Sequence, residues 1–187
     1  MSSPPPVHPD PSASDRSHEI AALVRSAVEQ FQGPLLRYAA RLVGDPDRAR
    51  DVVQDVFLRL ATQPADAVTG HLAEWLFTVC RNRAFDVHRK EGRMTAFAEG
   101  AEERVVAAEP RPGAALEAAE AHAAVLRLID RLPAHQQEVI RLKFQNGFSY
   151  KEISRITSLS VSNVGFLIHT AIKTLRREWL AETHGAE

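Results

Sequence analysis

Apolar residues recur at helical spacing along most of the chain, and their phase changes mark the elements. Ile20, Leu23, Val24, Ala27, Val28 and Phe31 form one stripe, and Leu35, Leu36, Ala39, Leu42 and Val43 form the next. Gly33-Pro34 between them predicts a break, because proline lacks the amide that a helix interior uses. Gly44-Asp45-Pro46 is a second punctuation. Asp45 has the form of an N-cap, and Pro46 suits a first helical position, where no backbone donor is needed. Val52, Val53, Val56, Phe57 and Leu60 predict a helix over residues 46–62, with Asp51, Gln54, Asp55 and Arg59 largely off its apolar stripe. After a polar loop at 63–70, a helix is expected over 71–90. Its buried side is assigned to Trp75, Leu76, Val79, Cys80, Phe85 and Val87, and its polar side to Arg81, Asn82, Arg83, Asp86, Arg89 and Lys90.

The C-terminal third repeats the helical signal in shorter pieces. Val125, Leu128, Ile129 and Leu132 end one helix at Leu132-Pro133. Val139, Ile140, Leu142 and Phe144 mark another over 136–146, closed by Gly147. Ser149-Tyr-Lys-Glu152 has the form of a capping box, in which hydroxyl and carboxylate each satisfy the other's backbone donor. A short helix with Ile153 and Ile156 follows, then a tight turn at Ser158-Leu159. Ser160 caps a long final helix over 161–181 that buries Val164, Leu167, Ile168, Ala171, Ile172 and Leu175. Alternating strand patterns are rare, so the expected fold is all-α: two small helical domains.

Between them, residues 95–113 show little periodicity. From Thr95 to His122 there are six glutamates and only two arginines. This is an acidic flexible linker that turns helical near Ala114; nineteen extended residues span roughly 60 Å. Residues 1–16, with five prolines among small polar residues, form a disordered tail that buries too little to offset its ordering entropy. The expected organisation is therefore a tail at 1–16, a first domain at 17–94, a linker at 95–121 and a second domain at 122–187.

Composition narrows the function class. The 187 residues carry 23 bases and 24 acids, so the chain as a whole is not a uniformly basic nucleic-acid binder. No apolar run reaches the roughly 18 residues of a membrane span, so membrane insertion is not expected. One cysteine, Cys80, permits no internal disulfide, and a reducing cytoplasmic address fits best. The eight histidines are scattered without metal-ligand spacing. Phosphate loop, nucleophile elbow and paired catalytic carboxylates are all missing, so neither a catalytic residue nor a metal or other cofactor is expected.

Charge is local instead. From Arg131 to Trp179 there are eight bases against three acids, which suits phosphate contacts. A short capped helix, a tight turn and a longer helix make the helix-turn-helix pattern, whose second helix presents its first residues to base edges in the major groove. Those residues are Val161, Ser162, Asn163 and Phe166, with Lys173, Arg176 and Arg177 further along; an ordinary helical hairpin is the plainer reading. Trp75 with Arg81, Arg83, Arg89 and Lys90 combines aromatics with cations, as unpaired bases require, although aromatics at helical spacing are more often core. The stripe of Asp51, Gln54 and Asp55 is a protein-docking surface or simply a solvated face.

Two separated blocks together resemble the extracytoplasmic-function (group IV) sigma factors of bacterial RNA polymerase. The first comprises Leu35-Leu-Arg-Tyr38, Gly44-Asp45, Asp51-Val-Val-Gln-Asp-Val-Phe-Leu-Arg-Leu60 and Ala73-Glu-Trp-Leu-Phe-Thr-Val-Cys-Arg-Asn-Arg-Ala-Phe-Asp-Val-His-Arg-Lys90. It is similar to the family's promoter-melting domain, sigma-two. The second, Leu132-Pro133 through Ser149-Tyr-Lys-Glu-Ile153 and Ser160-Val161 to Leu175, is similar to its sigma-four domain.

The resemblance implies an alternative sigma factor that binds core polymerase, recognises two promoter elements and promotes strand opening. Its partners would be promoter DNA and the core, through the clamp of the largest subunit and the flap of the second-largest, with an anti-sigma factor as a further candidate. It implies core binding by Asp51, Gln54, Asp55 and Phe57. Minus-ten recognition would fall to Trp75, Asn82, Asp86, Arg89 and Lys90, with the 63–70 loop capturing a flipped base. Minus-thirty-five recognition would fall to Ser160, Ser162, Asn163, Phe166, Lys173, Arg176 and Arg177. The acidic linker resembles the segment that the family threads toward the polymerase active site and RNA exit path. Where the family often has Thr-Val-Lys-Ser-Arg, this chain has Asn163-Val164-Gly165-Phe166-Leu167. Two cations are replaced, which implies either a backbone drawn close to phosphate at Gly165 or weak recognition of that element. A stand-alone dimeric helix-turn-helix regulator is the second reading; it explains residues 149–177 but leaves 51–60 and 75–90 without a role. A helical adaptor with no DNA role leaves both blocks unused.

Overall fold

A computed structural model of the chain describes residues 11–92 and 114–184. The expected tail up to residue 10, most of the linker (residues 95–113) and the last three residues lie outside the described part. The chain divides into two compact units, residues 1–101 and 102–187. All regular structure among the described residues is helical.

The first unit contains α1 (Pro11–Val43), α2 (Pro46–Ala61), the single turn α3 (Ala65–Val68) and α4 (Leu72–Gly92). Two expectations change in α1. It runs unbroken through Gly33-Pro34, because the apolar stripe keeps helical phase across them. Ala27 before the proline and Leu35, Tyr38 and Ala39 after it are all buried, and packing against α2 and α4 outweighs the roughly 3 kcal/mol that an interior proline costs. The helix also starts at Pro11, inside the segment assigned to the tail. Pro11 occupies the first helical position, where it is tolerated, and no further proline or glycine follows before Gly33.

Gly44, at φ 68°, donates its amide to the Ala40 carbonyl at 2.9 Å and turns the chain out of α1 in the left-handed conformation that glycine adopts freely. The expected cap then follows. Asp45 Oδ1 accepts from the amides of Asp47 and Arg48, each at 2.9 Å. These bonds hold the Asp45 carboxyl below its ordinary range, with the Arg48 amide the largest influence. Helices α1, α2 and α4 pack on one another around Leu35, Tyr38, Val52, Val56, Leu60, Leu76, Phe77 and Cys80. The Tyr38 and Phe77 rings lie 5.2 Å apart, tilted by 44°. Within the stretch read as a loop, α3 forms because Val68 has a core position to fill: it is 1% exposed. Burial pushes the Cys80 thiol up to about 12, so it stays protonated and unreactive at neutral pH.

The second unit contains α5 (Ala114–Asp130), α6 (Ala134–Phe144), α7 (Tyr150–Thr157) and α8 (Val161–His184). Residues 114–121, grouped with the linker by charge, are helical; five of these eight are alanine, the strongest helix former. Leu128, Leu132, Val139, Leu142, Ile153, Ile156, Val164, Ile168 and Ala171 make the core. Ile172, expected inside, is 42% exposed, because it lies beyond the edge of the buried stripe Val164, Ile168 and Ala171. Leu167 and Leu175 are only half-buried.

Arg141 is buried in this unit, at 5% exposure. Its guanidinium pairs with Asp130 and donates to Gln137 Oε1 at 2.7 Å. Gln137 in turn donates to the Asp130 and Leu132 carbonyls at 2.9 and 2.8 Å. The network satisfies the end of α5 and fixes it on α6, as a buried charge requires. Arg131 pairs with Glu182 at 2.7 Å. Both arginines belong to the C-terminal excess of cations that suits phosphate binding. Arg141 is withdrawn from that role by burial, and Arg131 is partly neutralised.

Candidate nucleic-acid and protein interfaces

On the first unit, α2 and α4 carry the residues singled out. The Asp45 cap sets the phase of α2, which turns Val52, Val53, Val56 and Leu60 inward and leaves Asp51 and Gln54 exposed. Asp55 departs from the expected solvated stripe. Its Oδ2 accepts from Arg83 Nε at 2.5 Å, and the pair ties α2 to α4. Phe57 is half-buried and borders a shallow groove between α1 and α2 with Val24, Leu36, Val53, Leu58 and Ala61. Leu58, on the rim, is 58% exposed. Gln54 and Arg50 also line this groove, so an apolar floor meets polar edges.

On α4, Trp75, Asn82, Asp86 and Arg89 are spaced by seven, four and three residues, which places them on one face. Asn82 and Arg89 are exposed, Trp75 and Asp86 half-buried. Arg89 Nη2 donates to Asp86 Oδ1 at 3.0 Å. The side chain of Lys90 lies outside the described part. Periodicity assigns Phe85 to the buried side, but it is 45% exposed, with the Arg81 guanidinium 4.6 Å from its ring centroid. Phe85 lies five residues from Cys80 and two from Val87, about 140° and 160° around the helix from them, and the core at that level is filled by Ala84, which is fully buried. The cation over the ring is the signal that identifies Phe85 as a surface aromatic next to the polar face.

On the second unit, the helix-turn-helix geometry is built by local hydrogen bonds. Ser149 donates its amide to Glu152 Oε2 at 2.7 Å, and its Oγ accepts from the Glu152 amide at 3.3 Å. Hydrogen bonding from Ser149 to the Glu152 carboxyl, from its side chain first and its amide second, holds that carboxyl below its ordinary value. Gly147, at φ 77°, brings the chain out of α6 toward that cap. Ser158 takes the left-handed conformation at φ 60°, which makes the sharp turn into α8. Ser160 Oγ then accepts from the Asn163 amide at 3.2 Å. From that cap, α8 buries Val164, Ile168 and Ala171 and exposes Ser162, Asn163, Phe166, His169, Lys173, Arg176 and Arg177. Arg177 lies 3.8 Å from Glu178. Gly165 is helical and faces Tyr150.

Among the described residues no group of three or more His, Cys, Asp or Glu is arranged to hold a metal ion, and no helix is long and apolar enough to cross a membrane.

Comparison with known proteins gives these faces a family. Residues 27–94 match Sigma-70 region 2, and residues 122–175 match Sigma-70, region 4. The chain is 34% identical to the ECF RNA polymerase sigma factor EcfG of Rhodopseudomonas palustris, over 74% of this chain and 75% of that protein. It is 31% identical to the ECF RNA polymerase sigma factor SigL of Mycobacterium tuberculosis, over 83% of this chain and 88% of that one. Among solved structures, the sigma factor RpoE in complex with the anti-sigma factor NepR from Bartonella quintana matches with a TM-score of 0.62 at 25% identity. That match covers 82% of this chain and 94% of the other. CnrH, solved with the cytosolic domain of CnrY, shares the fold at a TM-score of 0.55 and 24% identity, over 90% of this chain and 95% of the other. With both regions in the family's order and these relatives matched over most of their length, the chain belongs to the extracytoplasmic-function sigma factors, alternative sigma factors that direct RNA polymerase in transcription initiation.

Proposed function

We propose that the work of initiation is divided between the two units. Residues 17–94 hold the polymerase core and the minus-ten element, residues 122–187 read the minus-thirty-five element, and residues 95–121 connect them. Asp51, Gln54 and Phe57 meet the clamp of the largest subunit, with Asp55 holding the α2 surface in place through Arg83. Trp75, Asn82, Asp86, Arg89 and Lys90 address the minus-ten element, which is read as opened strand. Ser160, Ser162, Asn163, Phe166, Lys173, Arg176 and Arg177 address the minus-thirty-five element as duplex, while the same unit meets the flap of the second-largest subunit. No bond-making step belongs to this chain; nucleotide addition is the polymerase's. Core and promoter place its work in the cytoplasm. The relative from Bartonella quintana is held by an anti-sigma factor, and a protein regulator of that kind is proposed here too.

The observation that supports this reading is the pairing of two exposed polar faces, one on α4 and one on α8, in units that match the two sigma regions. A stand-alone dimeric regulator is not favoured, because it leaves the α2 and α4 faces of the first unit without a use.

The test is transcription from a genomic-fragment library by bacterial core polymerase, with and without the purified protein. Specific transcripts only in its presence support the reading, and their start sites locate both elements. Failure to bind core or to direct initiation overturns it.

A further inference from the structure

The face of α8 is unusual in what it lacks. Between Val161 and Ile172 there is no lysine or arginine; the first cation is Lys173. The commonest specific base contact, a bidentate arginine or lysine on guanine, is therefore unavailable over the first three turns. Phe166 stands there instead. At 66% exposure it is the most exposed large apolar side chain among the described residues.

Phe166 is not an overflow of the core. The buried stripe of α8 runs through Val164, Ile168 and Ala171, and Phe166 lies two residues from both Val164 and Ile168, which is about 200° around the helix from either. Its neighbours three and four positions away, Ser162, Asn163 and His169, are exposed and polar. The backbone at its root is held from behind: a Cβ at Gly165 would lie 3.6 Å from the Tyr150 ring, so α7 supports α8 at this point. Further along the same face come Lys173 and Arg176, both exposed. An apolar ring framed by hydrogen-bonding groups and followed by cations matches a polyanionic duplex better than an apolar protein groove. In the major groove only thymine offers an apolar group, its 5-methyl.

We propose that Phe166 reads thymine methyl groups in the minus-thirty-five element, so that apolar contact replaces the cation-based readout of guanine. This rests on α8 being the reading helix, as proposed above.

The test uses the holoenzyme formed from core polymerase and the full chain, on a promoter selected by transcription from the genomic library. Each thymine of the minus-thirty-five segment, on either strand, is replaced in turn by deoxyuridine, which removes only the methyl. At one position or more, binding should weaken about fourfold, equivalent to ~0.8 kcal/mol for one apolar carbon withdrawn from contact. Phe166→Ala should weaken binding to the thymine promoter by at least as much and bind thymine and uracil versions equally. Its thermal stability should match wild type, because the ring is exposed and points away from the buried stripe. A holoenzyme that initiates normally but does not distinguish thymine from uracil overturns the inference, as does a selected element without thymine on either strand. Loss of activity in Phe166→Ala without any uracil effect in wild type overturns it in favour of a protein contact. If no holoenzyme initiates at all, the functional assignment fails as well, and the absence of transcripts marks that case.

Discussion

Single residues decide which parts of the two faces are free to meet a partner. Asp51 and Asp55 sit one turn apart on α2, yet only Asp51 is exposed; Asp55 is committed to Arg83. The two predict different outcomes for the same substitution. Asp51→Arg should leave stability unchanged and lower affinity for core polymerase at least tenfold. Asp55→Arg sets two arginines together between α2 and α4 and should lower the stability of the first unit by about 1 kcal/mol, the upper end for a partly exposed pair. The exchange Asp55→Arg with Arg83→Asp should recover it. Denaturant titration reads the stabilities, and core binding is measured separately on the folded variants. Gly165 makes a second case. A Cβ there meets Tyr150 at ordinary contact distance, so the free protein does not need the glycine for space. Gly165→Ala should raise the stability of the second unit by up to about 1 kcal/mol. If stability rises while promoter binding falls, the glycine serves the DNA backbone; unchanged binding removes that role.

At the level of elements, the helix-turn-helix is held by short-range hydrogen bonds, which makes it sensitive to acid in a defined direction. Glu152 is held below its ordinary carboxyl pKa of 4.5 by Ser149. The charged form is therefore favoured in the folded state. Its contribution is complete above the unfolded value and disappears as pH falls through the lower folded value. Ser149→Ala should cost about 1 kcal/mol at neutral pH, the usual worth of an N-cap. The gap between variant and wild type should narrow as pH is lowered from 6 toward 3, read by urea denaturation at each pH; a gap independent of pH would place the effect outside the Glu152 bond. The same locality explains which elements are legible in the sequence. Asp45, Ser149 with Glu152, and Ser160 each announce a helix start through residues three or fewer positions away, and each cap is present. Features that depend on distant partners escape a local reading. Pro34 stays helical because of what α2 and α4 offer on either side of it, and α3 forms because Val68 has a core to enter. Phe85 is outside because Ala84 fills the inside, and Arg141 is inside because Asp130, at the end of α5, supplies the opposite charge and Gln137, one turn earlier on α6, supplies an acceptor. The helices packed on Pro34 and the core that receives Val68 lie outside the local window from which periodicity is read; Ala84, Gln137 and Asp130 lie in it or at its edge, but spacing does not show which of them is buried or paired.

For the molecule as a whole, a nearly neutral net charge coexists with DNA binding because the cations are unevenly placed and unevenly available. Of the bases in the second unit, Arg141 is buried in its ion pair and Arg131 is engaged with Glu182. The exposed cations of the α8 face, Lys173, Arg176 and Arg177, are the ones proposed to displace counterions from duplex phosphates. Each phosphate left without its cation lowers the slope of log K against log salt by about 0.9. Replacing all three by alanine should therefore reduce the magnitude of the holoenzyme's slope by roughly 2 to 3, with little change in which promoters are chosen. Asn82→Ala or Arg89→Ala, on the first unit, should do the reverse, changing promoter preference while core affinity holds. Arg141→Ala should change neither property directly; it leaves the half-buried Asp130 without its charge partner and should instead unfold the second unit at lower temperature. Binding titrations of the holoenzyme across a salt series, paired with a promoter-library readout, separate the three groups. An unchanged slope in the triple variant would take those cations off the DNA. Lys151 and Arg155 on α7 and Arg127 on α5, all exposed, would then be the cations to replace next.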